Sequence, residues 1–171
     1  AVINRHISLG KIGLTLFSSE GDLLDGQNTF VCEYRDHVGI VSPDIPLISN
    51  LDVLGNIALI REYHGNLPRE AVEDQIRDLL RRFDLSAIAY RRIAVLSEKD
   101  RFVVMLLRAA MVMEAMILID RPFRMLHDPR DYGFILTSLK KIDEWYKECH
   151  IFDYSWNEER YGGTDAPQDG T

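Results

Sequence analysis

This sequence of 171 residues has little cysteine, no long apolar run and a deficit of positive charge, and each shortage excludes a class of protein. Its two cysteines, Cys32 and Cys149, show no CxxC spacing, which argues against a zinc site and predicts two buried thiols in a reducing compartment. The longest apolar run, Phe102–Leu107, is far shorter than the roughly 20 residues of a membrane span, and no signal peptide is expected. The formal net charge of −7 argues against a general nucleic-acid binder, because phosphate contacts need a basic face.

The apolar pattern alternates between helical and strand-like segments. Helical spacing of apolar residues predicts helices over 51–63, 70–83, 99–113 and 131–145. Continuous apolar runs predict two adjacent buried strands at 38–41 and 115–120, and a short strand is expected at 149–152. Turn residues at 22–28 separate two further apolar stretches, 12–17 and 29–32. Strands that alternate with helices imply an α/β domain, and the polar residues 162–171 are expected to form a disordered tail.

Four segments of this chain, in order, resemble the nucleotide-binding domain of ATP-binding-cassette (ABC) transporters. SSEGDLLDGQN (18–28) is similar to the family's SGEILLDG, and VGIVSPDIPLISNLDVLGNIAL (38–59) to IGYVFQDPPLLSNLTVLENIAL. LSEKDRFVVMLLRAA (96–110) is similar to the signature helix LSGGQRQRVALARAL, and AMILIDRPF (115–123) to the strand LLLLDEPT. The resemblance implies a P-loop NTPase-like parallel sheet core in a domain of residues 1–161, with a helical subdomain at about 51–96. It leaves open that an N-terminal part of the family's domain is missing from this sequence.

The residues that hold the ATP phosphates in this family are replaced. Counting back from Gly21 puts the phosphate loop near residues 4–6, where no GxxxxGK[ST] motif occurs, nor does one occur elsewhere. Pro43 stands where the family has the glutamine that senses Mg²⁺ and the attacking water. In the signature helix, Glu98 and Lys99 replace the two glycines that approach the phosphate.

The acid–base pair of the family is also altered. Asp120 matches the Mg²⁺-associated aspartate, but the next residue, the general base, is Arg121, which cannot accept a proton at any working pH. Asp153 or Tyr154 stands where the family has the histidine that follows the last strand, and His127 stands at the aspartate of the subunit-contact loop. Together these departures predict a pseudo-ATPase with no catalytic residue.

Two positions match nucleotide-binding residues of the family, namely Ser97 and Asp120. Each also has a purely structural interpretation: Ser97 as the N-cap of a helix, and Asp120 as the partner of Arg121 or Arg124. No metal site of the chain's own is predicted, because the five histidines show no ligand spacing. Because the family's phosphate loop and base are replaced, no cofactor is expected, and ATP with Mg²⁺ would bind only at a composite site completed by a partner.

One segment, residues 44–63, keeps the family pattern almost intact. In the family it forms the groove that receives the coupling helix of the transmembrane subunit. The resemblance therefore implies five partner-binding residues: Leu47, Ile48, Asn50, Leu51 and Tyr63. The alternative is that the apolar residues of this segment only pack the helical subdomain.

The resemblance and the departures together predict an inactive ABC-type subunit that docks on a membrane permease or on a partner ATPase subunit, with a dimer left open. Its expected location is the cytoplasm, at the inner face of the membrane. Two alternatives are a weak or half-site ATPase, which would bind nucleotide, and a stand-alone interaction protein that has reused the scaffold.

Overall fold

The computed structural model describes residues 5–64 and 67–162, which form a five-stranded sheet with helices on both faces. The strands are β1 (Arg5–Leu9), β2 (Ile12–Phe17), β3 (Val38–Val41), β4 (Ala115–Asp120) and β5 (Tyr146–Tyr154). The helices are α1 (Glu20–Tyr34), α2 (Val53–His64), α3 (Arg69–Arg82), α4 (Glu98–Ala110) and α5 (Asp131–Lys141). Short 3-10 turns lie at Arg35–His37, Ser86–Ile88, Ile93–Val95, Pro122–Arg124, Asp143–Trp145 and Ser155–Tyr161.

The order of strands in the sheet is β1-β2-β5-β4-β3. Strands β2, β5, β4 and β3 are mutually parallel, and β1 forms an antiparallel hairpin with β2 at one edge. The predicted α/β class with a parallel core is confirmed, and so is the adjacency of the strands at 38–41 and 115–120. β4 is buried throughout as predicted, but β3 is an edge strand in which partly buried and buried residues alternate. Because four strands are parallel, their carboxyl ends all lie along one edge of the sheet.

The two faces of the sheet are covered by different helices. Successive residues of a strand point to opposite faces, and β4 divides its side chains in this way. Ile117 and Ile119 belong to the main core, together with residues of α2, α3, α4 and α5. Met116 and Leu118 belong to a smaller cluster with Leu23 of α1. It follows that α1 lies on one face of the sheet and α4 on the other.

The helices predicted from apolar spacing are present with shifted ends. α2 begins at Val53, and α4 begins at Glu98 and ends at Ala110. The last predicted helix ends at Lys141 and continues as a 3-10 turn. Between β3 and α4 the secondary structure of the described chain is helical apart from an isolated antiparallel bridge between Asp52 and Arg92.

The prediction of turns at 22–28 is wrong, because these residues lie inside α1. The hydroxyl of Ser19 caps this helix by accepting from the Asp22 amide at 3.1 Å. Gly26, which suggests a turn in the sequence, instead lets the helix approach the sheet closely. A Cβ at this position would lie 2.6 Å from the ring of Phe17. Glycine is therefore needed here for packing.

The two cysteines differ in environment. Cys149 is buried as predicted, and burial raises the pKa of its thiol well above the ordinary value. The prediction of a second buried thiol is wrong, because Cys32 is exposed on the outer side of α1.

No helix in the described part of the chain is long and apolar enough to cross a membrane. Of the predicted disordered tail, residues 163–171 lie outside the described residues.

Candidate functional site

The candidate site lies along the carboxyl edge of the parallel strands, where ligands of open α/β sheets generally bind. Ser42 follows β3, Asp120 ends β4 and Arg121 follows it, and Asp153 lies near the end of β5. The connection from β2 to α1, Ser18 and Ser19, belongs to the same edge. These residues come from distant parts of the chain, and the parallel sheet brings them together.

A buried ion pair between neighbouring residues forms the centre of this edge. Arg121 donates from Nε to Asp120 Oδ1 at 2.8 Å and from Nη2 to Asp120 Oδ2 at 2.9 Å. Ser42 Oγ donates to Asp120 Oδ2 at 2.7 Å, so both carboxylate oxygens have donors. Asp120 is only 2% exposed, and Arg121 also donates to the exposed carboxylate of Asp44. The Asp120 carboxylate is thus shielded from solvent, and both of its oxygens accept from protein groups.

The backbone of Arg121 makes this pairing possible. In an extended strand, successive side chains point to opposite faces, so adjacent residues do not meet. Arg121 instead has left-handed angles, φ 44° and ψ 58°, and its amide donates to the carbonyl of Phe152 at 2.7 Å. Its hydrogen bonds to Asp120, and then its charge interactions with that residue, raise the pKa of the Arg121 guanidinium. Arg121 therefore remains a cation fixed on Asp120.

The strand-to-helix connection at which P-loop proteins bind phosphate is short in this chain. Only Ser18 and Ser19 separate β2 from α1. The place inferred from the sequence, residues 4–6, is wrong: Arg5 and His6 belong to the edge strand β1, and Asn4 lies outside the described residues. The segment 18–28, matched in sequence to SGEILLDG, instead forms this connection and most of α1.

The first turn of α1 is acidic. Asp22 accepts hydrogen bonds from the hydroxyls of Ser19 at 2.7 Å and Ser18 at 3.4 Å, and Glu20 lies in the same turn. Carboxylates stabilise a helix N-terminus by the same electrostatics that would otherwise attract phosphate. At this end of α1 the chain supplies its own anions, and a phosphate group would be repelled by them.

The carboxyl ends of β2 and β4 differ from a phosphate-binding and metal-binding arrangement in two respects. The Asp120 oxygens that would face a metal ion accept from Arg121 and Ser42, and no glycine-rich loop is present after β2. Among the described residues, no group of three or more His, Cys, Asp or Glu side chains is placed to hold a metal.

Ser97, the other sequence-predicted nucleotide residue, is the N-cap of α4 and accepts from the Asp100 amide at 3.1 Å. The neighbouring Glu98 pairs with His127 Nδ1 at 2.8 Å, and Lys99 lies 3.5 Å from the buried carboxylate of Asp131. Glu98 and Lys99, the replacements in the signature segment, therefore connect the start of α4 to residues that follow β4 in the chain.

Asp153 has a structural role. Its Oδ1 accepts from the Tyr154 amide at 2.7 Å and from Asn157 Nδ2 at 2.9 Å, while its Oδ2 accepts from Tyr161 Oη at 2.6 Å. These bonds attach the 3-10 turn Ser155–Tyr161 to the end of β5. Burial, and then the negative charge of Asp153, raise the pKa of Tyr161 well above its ordinary value.

The residues predicted to bind a partner lie on the loop after β3 and in α2. Leu47 is partly buried against the main core, Ile48 is 38% exposed, and Leu51 is half-buried. Asn50 is exposed, and its carbonyl accepts from Arg92. The side chain of Tyr63 lies outside the described part of the structure.

Two buried polar residues that were not predicted as site residues shape this loop. Asn56 accepts from the Ile48 amide at 2.7 Å and donates to the Ile48 carbonyl at 3.0 Å and to the Asp52 carbonyl at 2.9 Å. Arg108 donates to the carbonyls of Ile45 at 2.7 Å and Pro46 at 3.0 Å, and burial lowers the pKa of its guanidinium. The sequence offered one signal for this role of Arg108, since it is a charged residue within an apolar stretch of the predicted helix.

A hollow of about 310 Å³ lies beside this loop. Its walls come from the segments after β3 and β4 and from the start of α4, with both apolar and basic side chains: Ser42, Pro43, Pro46, Leu47, Ile93, Arg101, Met105, Arg124 and Met125. The loop therefore presents a concave surface next to the exposed Ile48.

Comparison with known proteins identifies the fold. No family model and no curated protein sequence matches the chain. Among solved structures, CbiO1 from Clostridium perfringens, part of the ABC transporter complex CbiONQ, matches with a TM-score of 0.57 at 20% identity, over 83% of this chain and 55% of that one. The dimeric bacterial ABC transporter cassette MJ0796 matches with a TM-score of 0.56 at 25% identity, over 84% of this chain and 62% of its own. A second dimeric structure of MJ0796, bound to ADP and Pi, gives a TM-score of 0.55 at 22% identity, over 75% and 56% of the two chains.

The resemblance of the sequence to ABC transporter cassettes is therefore confirmed at the level of the fold. The chain spans 55–62% of the length of these solved cassettes.

Proposed function

We propose that this chain is a catalytically inactive ABC-type domain that docks on a membrane permease or on a partner ATPase subunit. The observation that carries the proposal is the occupation of the Asp120 carboxylate by Arg121 and Ser42. The fold supports a transporter context, since CbiO1 is part of an ABC transporter complex and MJ0796 is dimeric.

The inactivity follows from the position and charge of Arg121. Hydrolysis of ATP needs a group that accepts a proton from the attacking water, and a guanidinium has no acceptor atom. The same side chain, only 8% exposed, also neutralises the carboxylate that would otherwise attract a metal cation. One substitution thus removes the base and blocks the metal position.

Steady-state ATPase measurement with Mg²⁺ tests this proposal. We expect no turnover above background by the purified chain, and none by Arg121→Glu, because the phosphate loop is still missing after the base is restored. Turnover that Asp120→Asn abolishes would contradict the proposal and favour the weak-ATPase alternative. Nucleotide binding in the presence of a partner ATPase, without turnover by the chain alone, would support a half-site arrangement.

The docking surface that we propose is the loop after β3 with the adjacent hollow, and it includes the predicted residues Leu47, Ile48, Asn50 and Leu51. Tyr63, the fifth predicted residue, belongs to the last turn of α2, at the other end of that helix. Asn56 and Arg108 hold the loop from inside, which leaves Ile48 free to contact a partner. A preformed loop loses little conformational entropy on binding, which favours its use as an interface.

A pull-down from the membrane fraction tests the docking surface. We expect Ile48→Glu to abolish capture of an integral membrane protein and to change the free energy of unfolding by less than about 1 kcal/mol, because its side chain is exposed. The matched control is Leu24→Glu on α1, which is 53% exposed and lies on the opposite face of the sheet. Equal capture by both variants would contradict this docking surface and favour the stand-alone alternative.

A further inference from the structure

A larger cavity lies at the amino ends of the parallel strands, on the side of the sheet away from Asp120. It has a volume of about 660 Å³ and is bounded by the amino end of β3, the last part of α2 and the segment between α4 and β4. Its volume falls within the roughly 300–1,000 Å³ range of small-molecule sites. The cavity uses none of the residues of the edge described above.

The base of this cavity is apolar. Met111 and Val112 are buried in the main core, and Val38, Leu59 and Ile60 line the cavity with partly buried side chains. Such a surface favours the hydrocarbon part of a ligand, because contact removes apolar area from water on both sides.

The rim of the cavity is basic. Arg61 donates from Nε to the Met111 carbonyl at 2.7 Å, and its Nη1 contacts Met113 Sδ at 3.6 Å, which fixes the guanidinium at the cavity. The ring of His37 also lies at this rim, with Nδ1 2.8 Å from the Met113 carbonyl. Arg35 lines the same cavity, and Asp36 is the single carboxylate among the described lining residues.

We propose that this cavity binds a small amphiphilic anion, a carboxylate with an apolar tail. The head group lies between Arg35 and Arg61, whose planar guanidinium groups are suited to paired hydrogen bonds with a carboxylate. The tail covers Leu59, Ile60 and Val112. Two arginines against one aspartate disfavour a cationic head group. The inference does not rest on the proposed transporter role.

Calorimetric titration of the whole chain with decanoate, below its micelle concentration, tests the site. We expect saturable binding with a negative heat-capacity change, which marks burial of apolar surface. Acetate, which has no tail, and decanol, which has no charge, are expected to bind at least about tenfold more weakly, the factor that corresponds to loss of one charge-assisted contact.

Two variants test the residue assignment without disturbing the core. Arg35→Gln removes an exposed cation, and Met113→Glu, at a side chain 61% exposed, places a carboxylate beside Arg61 that competes with the ligand. Each is expected to weaken decanoate binding at least about tenfold. The control is Arg91→Gln, a neutralisation of an exposed arginine near the first turn of α2, the end away from the cavity.

Binding of decanol equal to that of decanoate would overturn the assignment of an anion site. Absence of saturable decanoate binding, or binding to anionic phospholipid vesicles without binding to decanoate, would also overturn the proposal. If Arg91→Gln weakened decanoate binding as much as Arg35→Gln, the effect of charge would be nonspecific, and the proposal would be overturned as well.

Discussion

Replacement of Arg121 by methionine tests whether the ion pair with Asp120 determines the structure of the carboxyl edge. Methionine keeps an unbranched side chain but lacks the guanidinium. Like arginine it is not glycine, so the left-handed backbone at this position is equally disfavoured in both proteins. The substitution removes two short hydrogen bonds to a carboxylate that is 2% exposed. Loss of one partner of a buried ion pair costs about 3–5 kcal/mol, because the other charge is left buried and unpaired. Since the Ser42 hydroxyl still donates to Asp120, we expect a value near the lower end, about 3 kcal/mol.

Urea unfolding at pH 7 measures this effect, with the slope of the transition checked for two-state behaviour. The control is Asp44→Asn, which removes the other carboxylate that accepts from Arg121. Asp44 is 68% exposed, so its ion pair is expected to contribute less than about 1 kcal/mol. In a double-mutant cycle, Asp120→Asn together with Arg121→Met should be less destabilising than the sum of the single variants by at least about 1 kcal/mol. A cost below about 1 kcal/mol for Arg121→Met, or additive effects, would refute the claim that Arg121 secures Asp120.

Three further outcomes are expected. Asn56→Ala should cost about 2–3 kcal/mol in urea unfolding, because its amide links several backbone groups of the loop after β3; a value near zero would contradict this role. Ser19→Ala should cost about 1 kcal/mol as the loss of a helix cap, and retention of full stability would show that Asp22 alone suffices. Stability should fall as the pH rises above about 10, where the unfolded chain ionises its phenols while the raised pKa of Tyr161 keeps the folded one protonated. In Tyr161→Phe the fall measured by urea midpoints between pH 7 and 11 should be smaller, and an unchanged fall would contradict the assignment.

Much of the fold was predictable because local pattern and tertiary structure agree. The apolar face of α3 and the continuous apolar run of β4 are each determined over a few residues, and both elements are present close to the predicted bounds. The order of these elements also sufficed to indicate an α/β domain with β3 and β4 adjacent. The prediction failed at 22–28, where aspartate, glycine and asparagine indicate turns when judged locally. Packing of Leu23 and Phe30 on the sheet outweighs these preferences, and Gly26 serves the close approach of α1 to Phe17.

The loop after β3 shows the same division between local and long-range information. The sequence pattern singled out Leu47 and Ile48, and their exposure differs because only one of the two reaches the core. Asn56 and Arg108, which hold the loop, were not predicted as site residues, because their backbone partners are close to them only in the folded chain.

The sequence by itself determined that Arg121 cannot serve as a general base, since this follows from the chemistry of the guanidinium group alone. It also determined that a glycine-rich phosphate motif is absent from these 171 residues. Only the tertiary structure decided what Arg121 does instead. Its left-handed backbone turns the guanidinium onto Asp120, and β3 brings Ser42, far away in the chain, to the same carboxylate. The sheet likewise decided that Ser18 and Ser19 form the connection from β2 to α1, because strand order depends on long-range pairing that no short stretch of sequence specifies.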